Sequence, residues 1–325
     1  MIRQPVLAID RLGVAIGSTR VVDGVTFDLA AGEIHALVGE SGCGKSMTAL
    51  AIMRLLPPVA RPVSGRVVLE GVDLFALPET EMRGVRGGRV SIIFQEPTSS
   101  LDPVMTVGDQ LVEAIQAHRP VRRQLALAHA LAMLEAVGIT EPGRRLRQYP
   151  FELSGGMCQR VMIATALAAR PAVLLADEPT TALDVTIQAQ ILGLIKHIRA
   201  ETGTAVLLIT HDMGVVADIA DRVLVMYAGR IVEAAPAEAL FAAPRHPYTW
   251  LLLRSLPRLD GPPKARLPVI EGTVPTVGGW PAGCRFAPRC PLASARCREA
   301  DPELAPIGES RAVACWHADQ VGRVP

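Results

Sequence analysis

The sequence predicts an α/β protein with a small antiparallel β layer, a helical insertion and an irregular C-terminal domain that carries cysteines. Three observations predict it. Mostly apolar runs at 34–38, 90–94, 172–176 and 205–209 read as strands buried on both faces, the pattern of a parallel sheet. Other stretches carry apolar residues at helical spacing, such as Ile187, Ile191, Leu194, Ile195 and Ile198. After residue 235, Pro and Gly become frequent and periodicity fades. Residues 1–235 are therefore assigned to one domain and 236–325 to a second.

In chain order, residues 6–30 alternate as short strands at 7–9, 14–16 and 25–29, separated by Gly17-Ser18 and Asp23-Gly24. Gly32-Glu33 opens the strand 34–38, and a helix is expected from Met47 to Leu56. The β pattern resumes at 65–69 and 72–74, and these pieces make up the antiparallel layer. The strand 90–94 ends at Gln95. Residues about 98–168 change character: 106–116, 122–137 and 158–169 have helical spacing, which marks the helical insertion. The strand 172–176 ends in Asp177-Glu178-Pro179. A helix follows Asp184 and stops at Gly203, and the strand 205–209 ends at Thr210-His211-Asp212. A hairpin around Ala228-Gly229 joins 222–226 to 230–233, and 248–256 is a last short helix.

Bulk composition bounds the function. With 325 residues, half of them apolar, the chain can bury a sizeable core. A formal net charge of +1 supplies no general field for nucleic acid or an anionic membrane surface. No apolar run is long enough to span a bilayer; the richest, 161–176, is broken by Arg170 and Pro171. The N-terminus has no signal-peptide core, so a cytosolic protein is expected.

The run Gly39-Glu40-Ser41-Gly42-Cys43-Gly44-Lys45-Ser46 fits G-x-x-x-x-G-K-[ST], between a strand and a helix as that motif requires. Backbone N–H groups can turn inward around a phosphate there, aided by the helix N-terminus. The expected phosphate contacts are Gly39, Ser41, Gly42, Cys43, Gly44, Lys45, Ser46 and Met47. Lys45 reaches the β- and γ-phosphates, and the Ser46 hydroxyl ligates Mg²⁺. Asp177, at the carboxyl edge of a core strand, suits Mg²⁺ through water, and Glu178 suits a general base. Gln95 can place its amide near Mg²⁺ and the attacking water, and the His211 imidazole can contact a γ-phosphate. Ser154-Gly155-Gly156 opens a helix and offers a second anion-ready N-terminus.

With these residues in place, positions 5–235 resemble the ATP-binding subunits of ABC transporters, with six motifs in the family's order. They are 39–46, Gln95, 153–157, 172–178, Ala182-Leu183-Asp184 and His211. The resemblance implies an ABC-type nucleotide-binding domain: a RecA-like core, a β layer and a helical subdomain. It also implies an ATP site shared by two such chains, in which Ser154, Gly155 and Gly156 face the partner's ATP. Residues 95–103, with Thr98 among them, together with 245–249, 283–291 and 313–315, are similar to the dipeptide, oligopeptide and nickel importers. That narrower likeness implies an ATPase motor for di- or oligopeptide uptake, with nickel, opine or glutathione as alternative cargo. The partners implied are a second ATPase subunit, expected as a heterodimer, two transmembrane permeases and, indirectly, an extracytoplasmic solute-binding protein. No nucleic acid is implied. The location implied is peripheral, on the cytoplasmic face of the bacterial membrane. Two positions depart from the family. Ile16 stands where an aromatic would stack on adenine, with Val21 and Val22 as alternative apolar contacts, and Met157-Cys158-Gln159 lacks the usual Arg before Gln.

Cys284, Cys290, Cys297 and Cys315 are spaced C-x5-C-x6-C-x17-C on a Pro- and Gly-rich segment. Four thiolates there can hold a [4Fe–4S] cluster, as the importer branch implies. Zinc, which favours tighter pairs, and a disulfide or metal-free state remain open.

Overall fold

The structure is a computed structural model, and it describes residues 4–97, 99–181, 184–256 and 268–322. Thr98, Ala182 and Leu183 lie outside the described residues. The elements in order are β1 (Pro5–Ile16), β2 (Thr19–Ala30), β3 (Ile34–Val38), α1 (Lys45–Ile52), β4 (Ala60–Leu69), β5 (Val72–Asp73), α2 (Glu79–Val85) and β6 (Val90–Ile93). There follow α3 (Val107–His118), α4 (Arg123–Ala136), α5 (Pro142–Arg145), α6 (Gly155–Leu167), β7 (Val173–Asp177), α7 (Val185–Thr202), β8 (Ala205–Thr210) and α8 (Met213–Ile219). The chain closes with β9 (Arg222–Tyr227), β10 (Arg230–Pro236), α9 (Ala237–Ala242), α10 (Pro247–Arg254), α11 (Ala295–Glu299), β11 (Ala305–Pro306) and β12 (Ala312–Val313).

The chain divides into two compact units that alternate along the sequence. The first comprises Met1–Leu7, Asp28–Glu33 and Val68–Ile209; the second comprises Ala8–Phe27, Ile34–Val67 and Thr210–Pro325. In the first unit β6, β7 and β8 run parallel, with Ile93 opposite Ala176 and Asp177 opposite Ile209. Their residues are almost wholly buried, which is why they read as continuous apolar runs. The helices of 107–167 belong to the same unit, and Thr106 caps α3 by accepting from the Asp109 N–H. In the second unit β3 and β9 run parallel, with Val38 opposite Val225. From β9 outward the pairing is antiparallel, through β10 and β12 to β11.

Two expectations are corrected. The pieces at 7–9, 14–16 and 25–29 belong to two twelve-residue strands, β1 and β2, within a four-stranded sheet ordered β2-β1-β4-β5. Arg11 and Gly24, with φ of 48° and 68°, absorb the irregularity inside the strands instead of ending them. The helix expected over 47–56 ends at Ile52, because Arg54 adopts a left-handed φ of 52° ahead of Pro57-Pro58. No helix among the described residues is long and apolar enough to cross a membrane.

Candidate active site

The second unit carries the phosphate loop. β3 delivers it beside β9, and the fit is so close that a Cβ on Gly39 (φ 154°) would sit 2.1 Å from the Met226 carbonyl oxygen. Gly44, the N-cap of α1 at φ 108°, is equally confined: a Cβ there would meet Met226 Cε at 2.9 Å and the Val21 carbonyl at 3.0 Å. Only glycine lets the loop leave the sheet here. The first N–H groups of α1 have no acceptor within the helix, which leaves them for an anion. Ser41, Gly42 and Ser46 are exposed, Met47 is half-buried, and the Cys43 thiol is pushed up by burial and stays neutral. Lys45 is buried, and its Nζ donates to the carbonyls of Gly39 (2.8 Å) and Glu40 (3.1 Å).

His211 is exposed, directly after β8 and before α8, whose N-cap Asp212 accepts from Gly214 and Val215. Ile16 ends β1 with 40% of its surface exposed. Val21 and Val22 are buried beside Gly44, which leaves Ile16 the most exposed of the three.

The first unit carries the acids. Level registers bring the carboxyl ends of β6 and β7 together, and Gln95 Nε2 donates to Glu178 Oε2 at 3.0 Å. The Thr181 hydroxyl donates to the same oxygen at 2.8 Å, and the Glu178 N–H donates to the Ile209 carbonyl at 2.9 Å. Glu178 holds a left-handed φ of 49°, a strained conformation of the kind that collects at functional sites. Asp177 is the buried last residue of β7.

Ser154 caps α6 by accepting from the Met157 N–H, and both Ser154 and Gly155 face solvent. Gln159, read from the sequence only as part of a motif, is buried and donates to the Pro179 carbonyl at 2.6 Å. It fastens α6 to the residue after Glu178. Of the loop at 182–184, Asp184 is described and caps α7 through the Ile187 N–H.

The C-terminal segment belongs to the second unit and reaches the phosphate loop. Arg289 forks onto the Glu40 carboxylate, and the Tyr248 hydroxyl accepts from the Glu40 N–H at 2.9 Å. Nothing periodic marks either residue; the adjoining run Pro288-Arg289-Cys290 was the available signal. A second ion-pair knot holds Asp23 to Arg20, Arg230 and Arg285. Burial raises the Asp23 carboxyl, but the three guanidinium groups outweigh it and keep the group below its ordinary range.

All four clustered cysteines line one cavity of about 10 Å³, with His246, Trp316 and His317. Burial pushes the Cys290 thiol up to about 11 and the Cys315 thiol up to about 12. Among the described residues, no group of three or more His, Cys, Asp or Glu side chains is placed to hold a metal ion. The four cysteines are a soft donor set of the kind a metal or cluster takes, and binding one would draw off the thiol protons.

A family model described as ABC transporter matches residues 22–181, and one for the C-terminal region of oligopeptide/dipeptide transporters matches 232–297. A probable peptide ABC transporter ATP-binding protein of Sinorhizobium fredii is 54% identical over 93% of this chain and 91% of its own length. The chain belongs to the ATP-binding subunits of ABC transporters. This ABC subunit is also 50% identical to the dipeptide transport ATP-binding protein DppD of Bacillus subtilis, over 98% of the chain and 96% of that protein. Its fold is similar to the ATP-binding cassette MJ0796 in a dimeric post-hydrolysis state bound to ADP and Pi. The TM-score is 0.64 at 27% identity, over 71% of this chain and 98% of the other.

Proposed function

We propose that this chain is the ATP-hydrolysing motor of a peptide importer, coupling ATP binding and hydrolysis to uptake of di- or oligopeptides across the cytoplasmic membrane. The observation that carries the motor reading is the Gln95–Glu178 hydrogen bond, which holds the carboxylate of a residue with left-handed backbone at the carboxyl edge of the parallel strands. The match of 232–297 to oligopeptide/dipeptide transporters supports the cargo class.

Gly39, Ser41, Gly42, Cys43, Gly44, Lys45, Ser46 and Met47 are the phosphate contacts of this proposal, with Lys45 as the cation for the β- and γ-phosphates. Glu178 is the general base for the hydrolytic water, oriented by Gln95 and Thr181. His211 is the γ-phosphate contact. Ser46, Gln95 and Asp177 offer a hydroxyl, an amide oxygen and a carboxylate, an all-oxygen set of the kind Mg²⁺ takes. Because Gln95 spends its amide nitrogen on Glu178, its carbonyl oxygen is the atom left for the cation. When bound, Mg²⁺ supplies charge neutralisation at the β- and γ-phosphate oxygens.

The exposed Ser154-Gly155 terminus supports the reading that it serves the ATP of a second ATPase subunit, proposed as a paralogue. Two permease subunits and a solute-binding protein complete the proposed assembly, at the cytoplasmic face of the membrane. Residues 1–235 are proposed as the nucleotide-binding domain, with 98–168 as its helical subdomain, and 236–325 as the importer-type C-terminal domain.

The decisive test is Glu178→Gln in the assembled transporter. Steady-state hydrolysis should fall by at least about 100-fold while ATP binding persists; near-normal turnover would remove Glu178 from the role of base. A [4Fe–4S] cluster at Cys284, Cys290, Cys297 and Cys315 is a separate part of the proposal. It is supported by the four thiols sharing one cavity. Protein purified without oxygen should contain iron and acid-labile sulfide. Zinc in their place, or no metal, would refute the cluster.

A further inference from the structure

We propose that Arg289 and Tyr248 are positioning residues that clamp Glu40, so that the C-terminal segment sets the affinity of the phosphate loop for ATP; this rests on the ATPase reading above. Arg289 Nη1 donates to Glu40 Oε2 at 2.7 Å and Nη2 donates to Oε1 at 3.0 Å, a bidentate pair. The Arg289 side chain is only 4% exposed. It is fixed from behind, with Nε donating to the Glu271 carbonyl at 2.9 Å and Nη2 to the Ile270 carbonyl at 3.2 Å. Tyr248 takes the Glu40 N–H, and its ring packs on Tyr227 and Phe286 at centroid distances of 4.7 and 5.4 Å. One cluster thus holds Glu40 by both main chain and side chain.

Glu40 passes that constraint into the loop. Its carbonyl accepts from the Cys43 N–H at 3.3 Å and from Lys45 Nζ at 3.1 Å. A loop ordered in advance binds phosphate without the cost of ordering its backbone. Releasing Glu40 returns that cost to the binding step and leaves the chemical step alone. Affinity and turnover should therefore separate, which a general loss of folding would not produce.

The test is an equilibrium titration of the full-length chain with Mg·ATP, paired with turnover at saturating ATP. Arg289→Gln and Glu40→Gln should each weaken ATP binding about tenfold, or ~1.4 kcal/mol, with saturated turnover within about twofold of the parent. The double variant should be no weaker than the worse single one, since both changes remove one interaction. Arg289→Lys, which keeps charge but loses the fork, should recover only part of the affinity. Should Arg289→Gln not fold, Glu40→Gln alone decides, because its carboxylate is partly exposed. Unchanged ATP affinity, multiplicative losses in the double variant, or a fall in saturated turnover with affinity intact would overturn the clamp. Failure of the parent chain to bind ATP would instead overturn the ATPase reading.

Discussion

The phosphate loop and the C-terminal segment share a unit and are built by opposite means. Residues 39–46 are mostly small, and their geometry comes from strand register and from the missing side chains of Gly39 and Gly44. The C-terminal segment has little regular structure, and large side chains give it order. Phe286 meets Tyr227 edge-on at 5.1 Å and Tyr248 at 5.4 Å, and Arg285 lies 3.6 Å over Trp280 while pairing with Asp23. A site that needs backbone close to its ligand is specified by what is left out. A segment without a sheet of its own is specified by what it inserts. The loop should therefore fail when an atom is added, and the C-terminal segment when atoms are removed.

The largest expected effect is on the side of removal. Phe286→Ala strips the ring shared by Tyr227, Tyr248 and His246 and should cost about 3–5 kcal/mol of stability by urea unfolding. A cost below about 1 kcal/mol would break the contrast. On the side of addition, Gly39→Ala should leave the fold intact by circular dichroism yet weaken ATP binding at least about 100-fold, ~2.7 kcal/mol, because the new methyl meets the Met226 carbonyl. Retained affinity would show that β9 yields.

Near neutral pH the smallest effect concerns charge. His246 is fully buried, its Nδ1 accepts from the Tyr248 N–H, and burial lowers its pKa to about 3. Folded protein keeps the ring neutral, whereas the unfolded chain takes up a proton near pH 6.5. Stability should thus be level above pH 7 and fall as pH drops from about 6.5 toward 3, by at most about 1.4 kcal/mol per pH unit. His246→Asn, which keeps an acceptor, should flatten that slope in pH-dependent melting; an unchanged slope would assign it to other groups.

The same contrast explains what could be read from the chain. The glycine run, the strand before it and the acids at the end of 172–177 are local patterns, and each has a structural counterpart. Gln95 meeting Glu178 followed once β6 and β7 paired in register. The short helices α2, α8 and α9 escaped because six or seven residues carry too little periodicity. β12 escaped because two residues become a strand only against β10. Arg289 and Tyr248 escaped for a similar reason: their partner, Glu40, lies more than 200 residues away. The cysteines showed the converse. Their spacing named a donor set, but not that all four would line one cavity.

The Arg289–Glu40 pair joins residues 249 positions apart, and Arg285–Asp23 joins residues 262 apart. During synthesis the loop residues therefore leave the ribosome long before the side chains that clasp them exist. Contacts of such separation are slow to form, since the closing entropy is met before any contact repays it. The loop's last tether is made only after residue 289 has emerged, so the firm nucleotide capture proposed for it waits on the C-terminal segment.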